Sequence, residues 1–486
     1  MSTRTDSLPD PSRLAPRAGP PPLFGWRGLP LAFALGIVLC WPMLLSGDHF
    51  VFFDTRNYFA AGREIWALIG RILGMAPPPG TGAAAADEGA RFGRSLVYSG
   101  AAYPLLSIGG AAALAIFHGT LVTFSVFALI DRTTLASPRV LIAGAIAVAA
   151  LSTLPWHNVY LMPDILGAIL VVFGMTLTGP FARMSTSQKV MLTLLAGFAA
   201  GSHYGNMPLA AGIVVVAMFL AASARVLGPI ALVAAATLIV APAAINTGSS
   251  AVAMDEASPT PLRLPILLAR SLEDGPALRY LEDACGDGAD YAMCTAFGGR
   301  IPDTIDGLLW DDSGVQSLDQ KTADRIRAEE YGLLLDVFLT YPLEQSWSLG
   351  RNAIRQLTLA GTDQIYAVDD WRIVLTERLS EVGSPNGTLL LLVFDGVTPV
   401  ATFLSAAILL GLLLTRRIPS DRLRGLAVLV ACLLLNAVIF GGLSAPVDRY
   451  QSRLVWLVPV FLVIILADMS SRNRAQVGHP AISPRE

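Results

Sequence analysis

The sequence is poor in charged residues. Only 15% of its 486 residues are Asp, Glu, Lys or Arg, whereas hydrophobic residues make up 53%. A soluble domain carries about 25% charged residues, so the composition excludes an ordinary soluble protein and predicts a polytopic membrane protein. The net charge is −3, and no basic patch interleaved with aromatic residues is present. We therefore expect no nucleic-acid partner.

Cysteine is also scarce, with four residues in the chain. Cys40 and Cys432 fall within apolar runs, where a thiol is usually an inert packing residue. Cys285 and Cys294 close the polar stretch CGDGADYAMC, which has no histidine nearby to complete a metal site. In an oxidising compartment such a pair can form a disulfide, and the sequence favours that bond over metal binding.

The first apolar run lacks a small-residue cleavage site after it, so it is expected to remain as a helix rather than to be removed as a signal peptide. A helix needs about 20 apolar residues to cross the bilayer. The sequence predicts an all-α protein with about ten such spans: 29–46, 104–130, 139–155, 161–179, 190–203, 207–224, 227–246, 396–415, 425–443 and 453–469.

The short loops differ in their basic residues. Basic residues occur in the amino-terminal tail, in alternate loops and in the carboxyl-terminal tail, whereas the turns at 156–160 and 203–206 contain no Lys or Arg. Loops rich in Lys and Arg stay in the cytoplasm. We therefore expect both termini to be cytoplasmic and the two long polar segments, 47–103 and 247–395, to lie outside.

This topology divides the chain into five regions. They are a disordered cytoplasmic tail (1–27), a membrane domain (28–246) with the first external loop (47–103), an external segment (247–395), the last transmembrane helices (396–470) and a second cytoplasmic tail (471–486). The Pro-, Gly- and Ala-rich stretch 75–90 is interpreted as a mobile loop within the first external segment.

One acidic residue stands out in GDHFVFFDTRNYFAAGREIW, which follows the first span. Asp54 lies between Phe52, Phe53 and Tyr58, and an acid is costly to place near lipid. It could cap a helix that begins near Thr55, since Asp accepts hydrogen bonds from free amides at a helix start. The alternative is a functional carboxylate at the edge of the membrane.

Other polar residues are predicted to lie on the same external face. They are His157, Asp164, His203, Asp395, Arg449, Tyr450 and Arg453. Each has an ordinary interpretation as well: Asp164 follows Pro163 as at a common helix start, the histidines suit an interfacial turn, and the arginines could bind lipid headgroups. Their convergence on one face is what indicates a site.

The end of the second external segment has helical periodicity. In YPLEQSWSLGRNAIRQL, the apolar residues Leu343, Trp347, Ile354 and Leu357 recur at helical spacing, with charged residues on the other faces. This pattern is typical of an amphipathic helix at a membrane surface.

The order of these motifs resembles the GT-C superfamily of membrane glycosyltransferases, which use polyprenyl-phosphate-linked sugar donors. The similar motifs are FFDTRNYFAAGR after the first span, GRSLVYSGAAYPLL before the second, MPDILGAILVV, the hairpin LLAGFAAGSHYGNMPLAAGIVVV, and YPLEQSWSLGRNAIRQL before the late spans. The resemblance covers most of the chain and extends to bacterial inner-membrane proteins of this type.

The resemblance implies roles for particular residues. Asp54 would be the general base toward the acceptor hydroxyl, and Arg449 or Arg453 would hold the leaving phosphate. The remaining candidates for substrate contact are Tyr58, Arg94, His157, Asp164, His203, Asp395 and Tyr450. Many members carry an Asp-Asp or Glu-Asp pair, whereas this chain has only Asp48 near Asp54. No cofactor is therefore assigned, and a divalent metal ion stays an alternative.

Two other classes of protein remain open. A secondary transporter or flippase would favour broken helices at the bilayer midplane and repeated halves, neither of which is visible in the sequence. A non-catalytic membrane protein on a similar scaffold fits if Asp54 is only a helix cap. The expected partners are membrane lipid and the polyprenyl-phosphate-sugar donor, and the sequence does not predict an oligomeric state.

Overall fold

The computed structural model describes residues 23–74, 94–253, 257–261, 263–298, 300–375 and 383–477. The expected disordered tail and the predicted mobile loop at 75–90 therefore lie wholly or mainly outside the described residues. Helices make up nearly all of the regular structure. The described residues form one sheet, in which β1 (His49–Val51) pairs antiparallel with β2 (Tyr366–Val368).

The helices of the first half form most of the apolar body. They are α1 (Leu29–Val38), α2 (Trp41–Ser46), α3 (Phe53–Ile72), α4 (Leu96–Val126), α5 (Arg132–Leu135), α6 (Pro138–Leu151), α7 (Leu154–Val159), α8 (Gly167–Leu177), α9 (Pro180–Arg183), α10 (Thr186–Gly201), α11 (Asn206–Ser223) and α12 (Pro229–Ala253). Every residue of α8 is buried, so this helix is the centre around which the others pack.

The second half begins with short helices and ends with long apolar ones. They are α13 (Ile266–Asp274), α14 (Pro276–Gly286), α15 (Ala292–Phe297), α16 (Ile305–Leu309), α17 (Gln320–Thr340), α18 (Pro342–Thr358), α19 (Pro385–Leu414), α20 (Ser420–Asn436), α21 (Asp448–Val455) and α22 (Leu457–Val477). A π-helix, Ala437–Gly442, continues α20.

Seven helices in the described residues are long and apolar enough to cross a membrane. These stretches are Trp26–Ser46, Leu96–Leu129, Asn206–Ser223, Pro229–Val252, Pro385–Leu414, Arg422–Gly442 and Asp448–Arg474. Two shorter apolar helices, Pro138–Leu151 and Pro163–Leu177, correspond to the third and fourth predicted spans. The structure thus agrees with an all-α multi-pass membrane protein, while the count of about ten spans stays a prediction.

The predicted second span, 104–130, corresponds to the stretch Leu96–Leu129, in which α4 is not straight. Gly110 interrupts it with a left-handed φ of 67°, which glycine adopts without steric cost. The hydroxyl of Tyr98 and Nε2 of His118 are 3.0 Å apart although the residues are 20 positions apart. A straight helix would separate them by about 30 Å. The two halves of α4 therefore fold back on each other at Gly110.

A second, smaller core lies between Leu264 and Val337, formed by α13 to α17. Within it, Cys285 and Cys294 form a disulfide, with Cα atoms 5.3 Å apart. We call residues 263–340 the disulfide-linked unit. It is attached to α18 through Asp274, whose carboxylate accepts hydrogen bonds from Arg351 (3.0 Å) and Asn352 (2.8 Å).

Candidate functional site

Asp54 lies in the first turn of α3, one residue after the helix begins. The helix starts at Phe53 with Phe52 at its N-cap position, and the backbone amide of Phe52 donates to Oγ1 of Thr55 at 3.1 Å. The interpretation of Asp54 as a helix cap is therefore wrong. Instead, Nη2 of Arg94 donates to its carboxylate in a direct ion pair.

Arg94 reaches Asp54 from the segment just before α4. Its carbonyl oxygen accepts a hydrogen bond from the hydroxyl of Tyr204 (3.1 Å), which fixes the backbone at this position. Burial acts to lower the pKa of Arg94, but the negative charge of Asp54 outweighs it and the pKa is raised. Arg94 therefore stays charged, and it holds the carboxylate of Asp54 in one place.

Asp164 is the most deeply buried acid near Asp54. It lies in the 3₁₀ turn Pro163–Leu166 that leads into α8, and only 1% of its surface is exposed. Neither carboxylate oxygen has a hydrogen-bond partner among the described residues. The charges of Arg449, Arg453 and Asp54 all act on it. An acid in such surroundings is costly unless another group compensates it.

Arg449 and Arg453 lie one helical turn apart on α21, so both side chains leave the same side of the helix. The guanidinium carbon of Arg449 is 3.8 Å from the ring centroid of Phe52. That of Arg453 is 4.0 Å from the ring centroid of Phe440. Nε and Nη1 of both arginines are buried without a hydrogen-bond partner among the described residues. Four guanidinium nitrogens are thus buried beside aromatic rings without an acceptor among the described residues.

We call Asp54, Arg94, Asp164, Arg449 and Arg453 the Asp164 cluster. Three arginines and two aspartates give it a formal charge of +1. Buried arginine N–H groups with excess positive charge are suited to bind an anion, and phosphate or carboxylate oxygens match their geometry. The arrangement can therefore bind an anionic group beside a fixed carboxylate.

Tyr58 and Tyr450 border this cluster. Tyr58 is 3% exposed, and burial raises its pKa well above the usual value, so its hydroxyl remains a potential hydrogen-bond donor. The charges of Arg94, Asp54 and Asp164 all act on it. The hydroxyl of Tyr450 accepts a hydrogen bond from Nη2 of Arg449 at 3.0 Å. Tyr450 therefore helps to position Arg449.

The two histidines have different surroundings. His157 is fully buried, and its Nε2 lies 2.7 Å from Oγ of Ser452. Burial, together with Arg453 and Arg449, lowers the pKa of His157 to about 3. Nδ1 of His203 accepts a hydrogen bond from the amide of Gly205 at 3.0 Å. Burial and the same arginines lower the pKa of His203 well below its usual value. Both rings are neutral at pH 7 and do not add positive charge to the cluster.

Asp395 does not join the Asp164 cluster. It lies in α19 and accepts a hydrogen bond from the amide of Thr362 at 2.7 Å. The neighbouring amide, that of Gly361, donates to Asp448 at 2.6 Å. The expectation that Asp395 contributes to the same site is therefore wrong, because the loop before β2 uses its carboxylate to satisfy a backbone amide. Asp48 is likewise used structurally, since it accepts hydrogen bonds from Ser384 and Gly387 at 2.7 Å.

Several residues of the site gave no signal in the sequence. Phe440 lies in the π-helix and stacks on Arg453, while Asn436 accepts a hydrogen bond from Nη2 of Arg453 at 2.9 Å. Tyr366 of β2 packs on Phe53 with ring centroids 5.3 Å apart. These residues come from segments far apart in sequence. The pairing of β1 with β2 brings Tyr366 to Phe53, and the packing of α20 against α21 brings Asn436 and Phe440 to Arg453.

No group of three metal-ligating side chains occurs in the part of the chain that the structure describes. The excess of arginine around Asp164 also disfavours a cation there. The geometry therefore gives no support for a divalent metal ion in this cluster.

The structure also contains an apolar cavity of about 330 Å³. It is bounded by α3, the start of α4 and the end of α12, and its lining includes Ile65, Ile69, Leu96, Val97, Ile245 and Val252. Leu96 and Val97 follow Arg94 almost directly in the chain. The two compartments, one apolar and one polar, are therefore linked along the chain by residues 94–97.

Comparison with models of known protein families, with curated proteins and with solved structures finds no match for this chain.

Proposed function

We propose that this protein is a membrane glycosyltransferase of the GT-C type that takes a sugar from a polyprenyl-phosphate donor. The observation that carries the proposal is the pair Arg449 and Arg453, whose buried Nε and Nη1 atoms have no acceptor among the described residues. The charge of Asp54, which is ion-paired with Arg94, acts on Arg449, and an apolar cavity begins at Leu96, two residues after Arg94. A donor with an anionic phosphate and an isoprenoid chain has the chemistry that these two compartments would bind.

In this proposal the residues have separate roles. Arg449 and Arg453 bind the phosphate oxygens of the donor, and the apolar cavity beside Leu96 receives the first isoprene units. The acceptor hydroxyl attacks the anomeric carbon while its proton passes to Asp54. The bond from the anomeric carbon to the phosphate oxygen breaks, and polyprenyl phosphate leaves with that oxygen. Arg94 positions the carboxylate of Asp54 for the transfer.

We also propose the finer topology on the basis of the distribution of basic residues. About ten segments cross a bacterial inner membrane, both termini are cytoplasmic, and the Asp164 cluster and the disulfide-linked unit are on the external side. The disulfide between Cys285 and Cys294 supports an oxidising location for that unit. A reporter fused after Glu486 should be active only in the cytoplasm, and activity only outside would contradict this topology.

The substitution Asp54→Asn tests the enzymatic proposal. The amide keeps the size of the side chain but cannot take a proton, so transfer from a radiolabelled polyprenyl-phosphate hexose should fall by about 10²–10⁴-fold. Activity is measured in lipid nanodiscs, after the melting temperature of the variant has been shown to equal that of the wild type. Asp363→Asn, at an exposed carboxylate, is the matched control and should keep wild-type activity.

One observation favours a non-catalytic protein on the same scaffold as a second candidate. The carboxylate of Asp54 is already engaged by Arg94, and a neutralised carboxylate is a weaker base. In that case the cluster binds an anionic lipid without reaction. Three results together would support this candidate over the enzyme. The donor still binds to the Asp54→Asn variant, it no longer binds to the Arg449→Ala variant, and neither the wild type nor either variant transfers sugar.

A further inference from the structure

The surface of α17 and α18 carries large apolar side chains that no described residue covers. On α18, Leu343, Trp347 and Ile354 are 83%, 71% and 68% exposed. They recur at i, i+4 and i+11, which places them along one side of the helix. The buried residues of α18, including Asn352 and Gln356, lie on the opposite side. The apolar stripe therefore faces directly away from the protein.

The stripe continues across the junction into α17. Leu335, Phe338 and Leu339 are all exposed in the last turns of that helix, while Leu333 and Val337 are buried on its other side. Leu339 and Leu343 flank the junction at Tyr341. The amino-terminal half of α17 is different, because its exposed positions include Lys321, Asp324 and Arg325. The apolar surface thus begins partway along α17 and extends through α18.

The contacts of α18 indicate its depth relative to the membrane. Its buried side packs against the π-helix Ala437–Gly442, where Gly441 and Gly442 have no side chain and adjoin Gln356 and Leu349. This π-helix is the end of the membrane-spanning stretch Arg422–Gly442. A helix packed on the end of a span lies at the level of the membrane boundary. The exposed apolar residues of α19, such as Leu389 and Leu392, occur near the start of another span.

From these contacts we infer that Leu335, Phe338, Leu339, Leu343, Trp347 and Ile354 form a lipid-binding surface that inserts into the membrane leaflet at this end of the protein. The packing of α18 on the end of a span favours lipid over a protein partner as the group that covers the stripe, since exposed apolar surface is unfavourable in water. Trp347 suits the interface, where tryptophan is enriched. Arg351 and Arg355 lie at the edge of the stripe, as basic residues do on helices that lie in a membrane surface.

This surface would anchor the disulfide-linked unit next to the Asp164 cluster. Arg351 and Asn352 of α18 bind Asp274 of the unit, while Gln356 of α18 donates to the carbonyl of Val447 at 2.8 Å, just before α21. The same helix thus contacts the unit, the segment before Arg449 and, in this inference, the lipid. The inference depends on the membrane location of the protein but not on its enzymatic activity.

Site-directed spin labelling tests the surface directly. Leu339→Cys, Leu343→Cys and Trp347→Cys are labelled one at a time in nanodiscs of phosphatidylethanolamine and phosphatidylglycerol. The native free thiols, Cys40 and Cys432, are buried and do not compete for the label. Lys321→Cys, on the polar half of α17, is the matched control. Collision rates are measured with molecular oxygen, which concentrates in lipid, and with a water-soluble nickel chelate.

We expect the ratio of oxygen to nickel collisions to be several-fold higher at 339, 343 and 347 than at 321. Equal ratios at all four positions would place the stripe in water and overturn the inference. Protection from both reagents at 343 and 347 would indicate a protein partner instead. Protection combined with spin–spin broadening between labels would identify that partner as a second copy of this chain. Loss of sugar transfer in these variants would leave the lipid result unaffected.

Discussion

Two buried groups of arginine and aspartate lie at opposite ends of α20, and they differ in how well their charges are satisfied. In the Asp164 cluster, two oxygens of Asp164 and two nitrogens each of Arg449 and Arg453 have no partner in the described residues. At the other end, Arg422 donates to Asp468 (2.8 Å), Asp131 (3.0 Å), Thr134 (3.0 Å) and the carbonyl of Leu129 (2.9 Å). We call Arg422, Asp131, Thr134 and Asp468 the Arg422 cluster.

This difference indicates that the Arg422 cluster has a structural role and that the Asp164 cluster is suited to bind a ligand. Arg422 joins the segment after α4 to α20 and α22, and Oδ1 of Asp468 also accepts a hydrogen bond from Thr134 at 2.7 Å. A buried network in which each member is satisfied makes the fold rigid. The Asp164 cluster uses the same residue types but leaves hydrogen-bonding capacity unused. The unused groups are what a ligand can bind.

The largest effect on stability is expected from Arg422→Met. It leaves Asp468, which is 1% exposed, without its cation. Breaking a buried ion pair in this way costs about 3–5 kcal/mol, which thermal unfolding in detergent should show as a large decrease in melting temperature. The double variant Arg422→Met/Asp468→Leu should recover much of the loss. Equal melting temperatures of Arg422→Met and the wild type would contradict the structural role.

A matched pair of substitutions compares the clusters directly. Asp468→Asn weakens hydrogen bonds to Arg422 and should cost about 1.5–3 kcal/mol, the usual contribution of a hydrogen bond to a charged group. Asp164→Asn loses no hydrogen bond to a described residue and should cost less than about 1 kcal/mol. Unfolding of both variants under identical conditions measures the contrast. A larger loss for Asp164→Asn than for Asp468→Asn would reverse the assignment of the two clusters.

A further effect concerns pH and arises at His157, which adjoins the Asp164 cluster on the side of Arg453. The pKa of His157 is about 3 in the folded protein, below the usual value of about 6.5. Below pH 6.5 the unfolded chain therefore binds a proton that the folded chain does not bind. The contribution of His157 to the free energy of unfolding is therefore fully present above pH 7. It falls by about 1.4 kcal/mol per pH unit as the pH decreases from 6.5 toward 5.

His157→Gln checks this pH dependence. The amide can still bond to Ser452 but does not titrate, so the melting temperature of the variant should fall less than that of the wild type between pH 7 and pH 5. The groups around His157 include Ser452 and Arg453, neither of which titrates in this range. Parallel pH profiles for the variant and the wild type would show that another group is responsible.

The amino-acid sequence alone was enough to predict the class of protein and several local features. Low charge and long apolar runs predict a helical membrane protein, because only a helix satisfies its backbone within the lipid. The paired cysteines in CGDGADYAMC form the disulfide, and the apolar periodicity of 341–357 corresponds to α18, which begins at Pro342. These features depend on composition or on residues close in sequence.

Tertiary structure decided which polar residues meet. The sequence placed Asp54 and Asp395 in one set, but the loop before β2 binds Asp395 through a backbone amide, whereas Arg94 binds Asp54. The fold of α4 at Gly110 was also not visible in 104–130, since glycines in an apolar run are compatible with a straight helix. Contacts of this kind join residues separated by tens or hundreds of positions, and local periodicity contains no information about them. The ion pair of Asp54 and the unused N–H groups of Arg449 and Arg453 therefore follow from packing rather than from any motif.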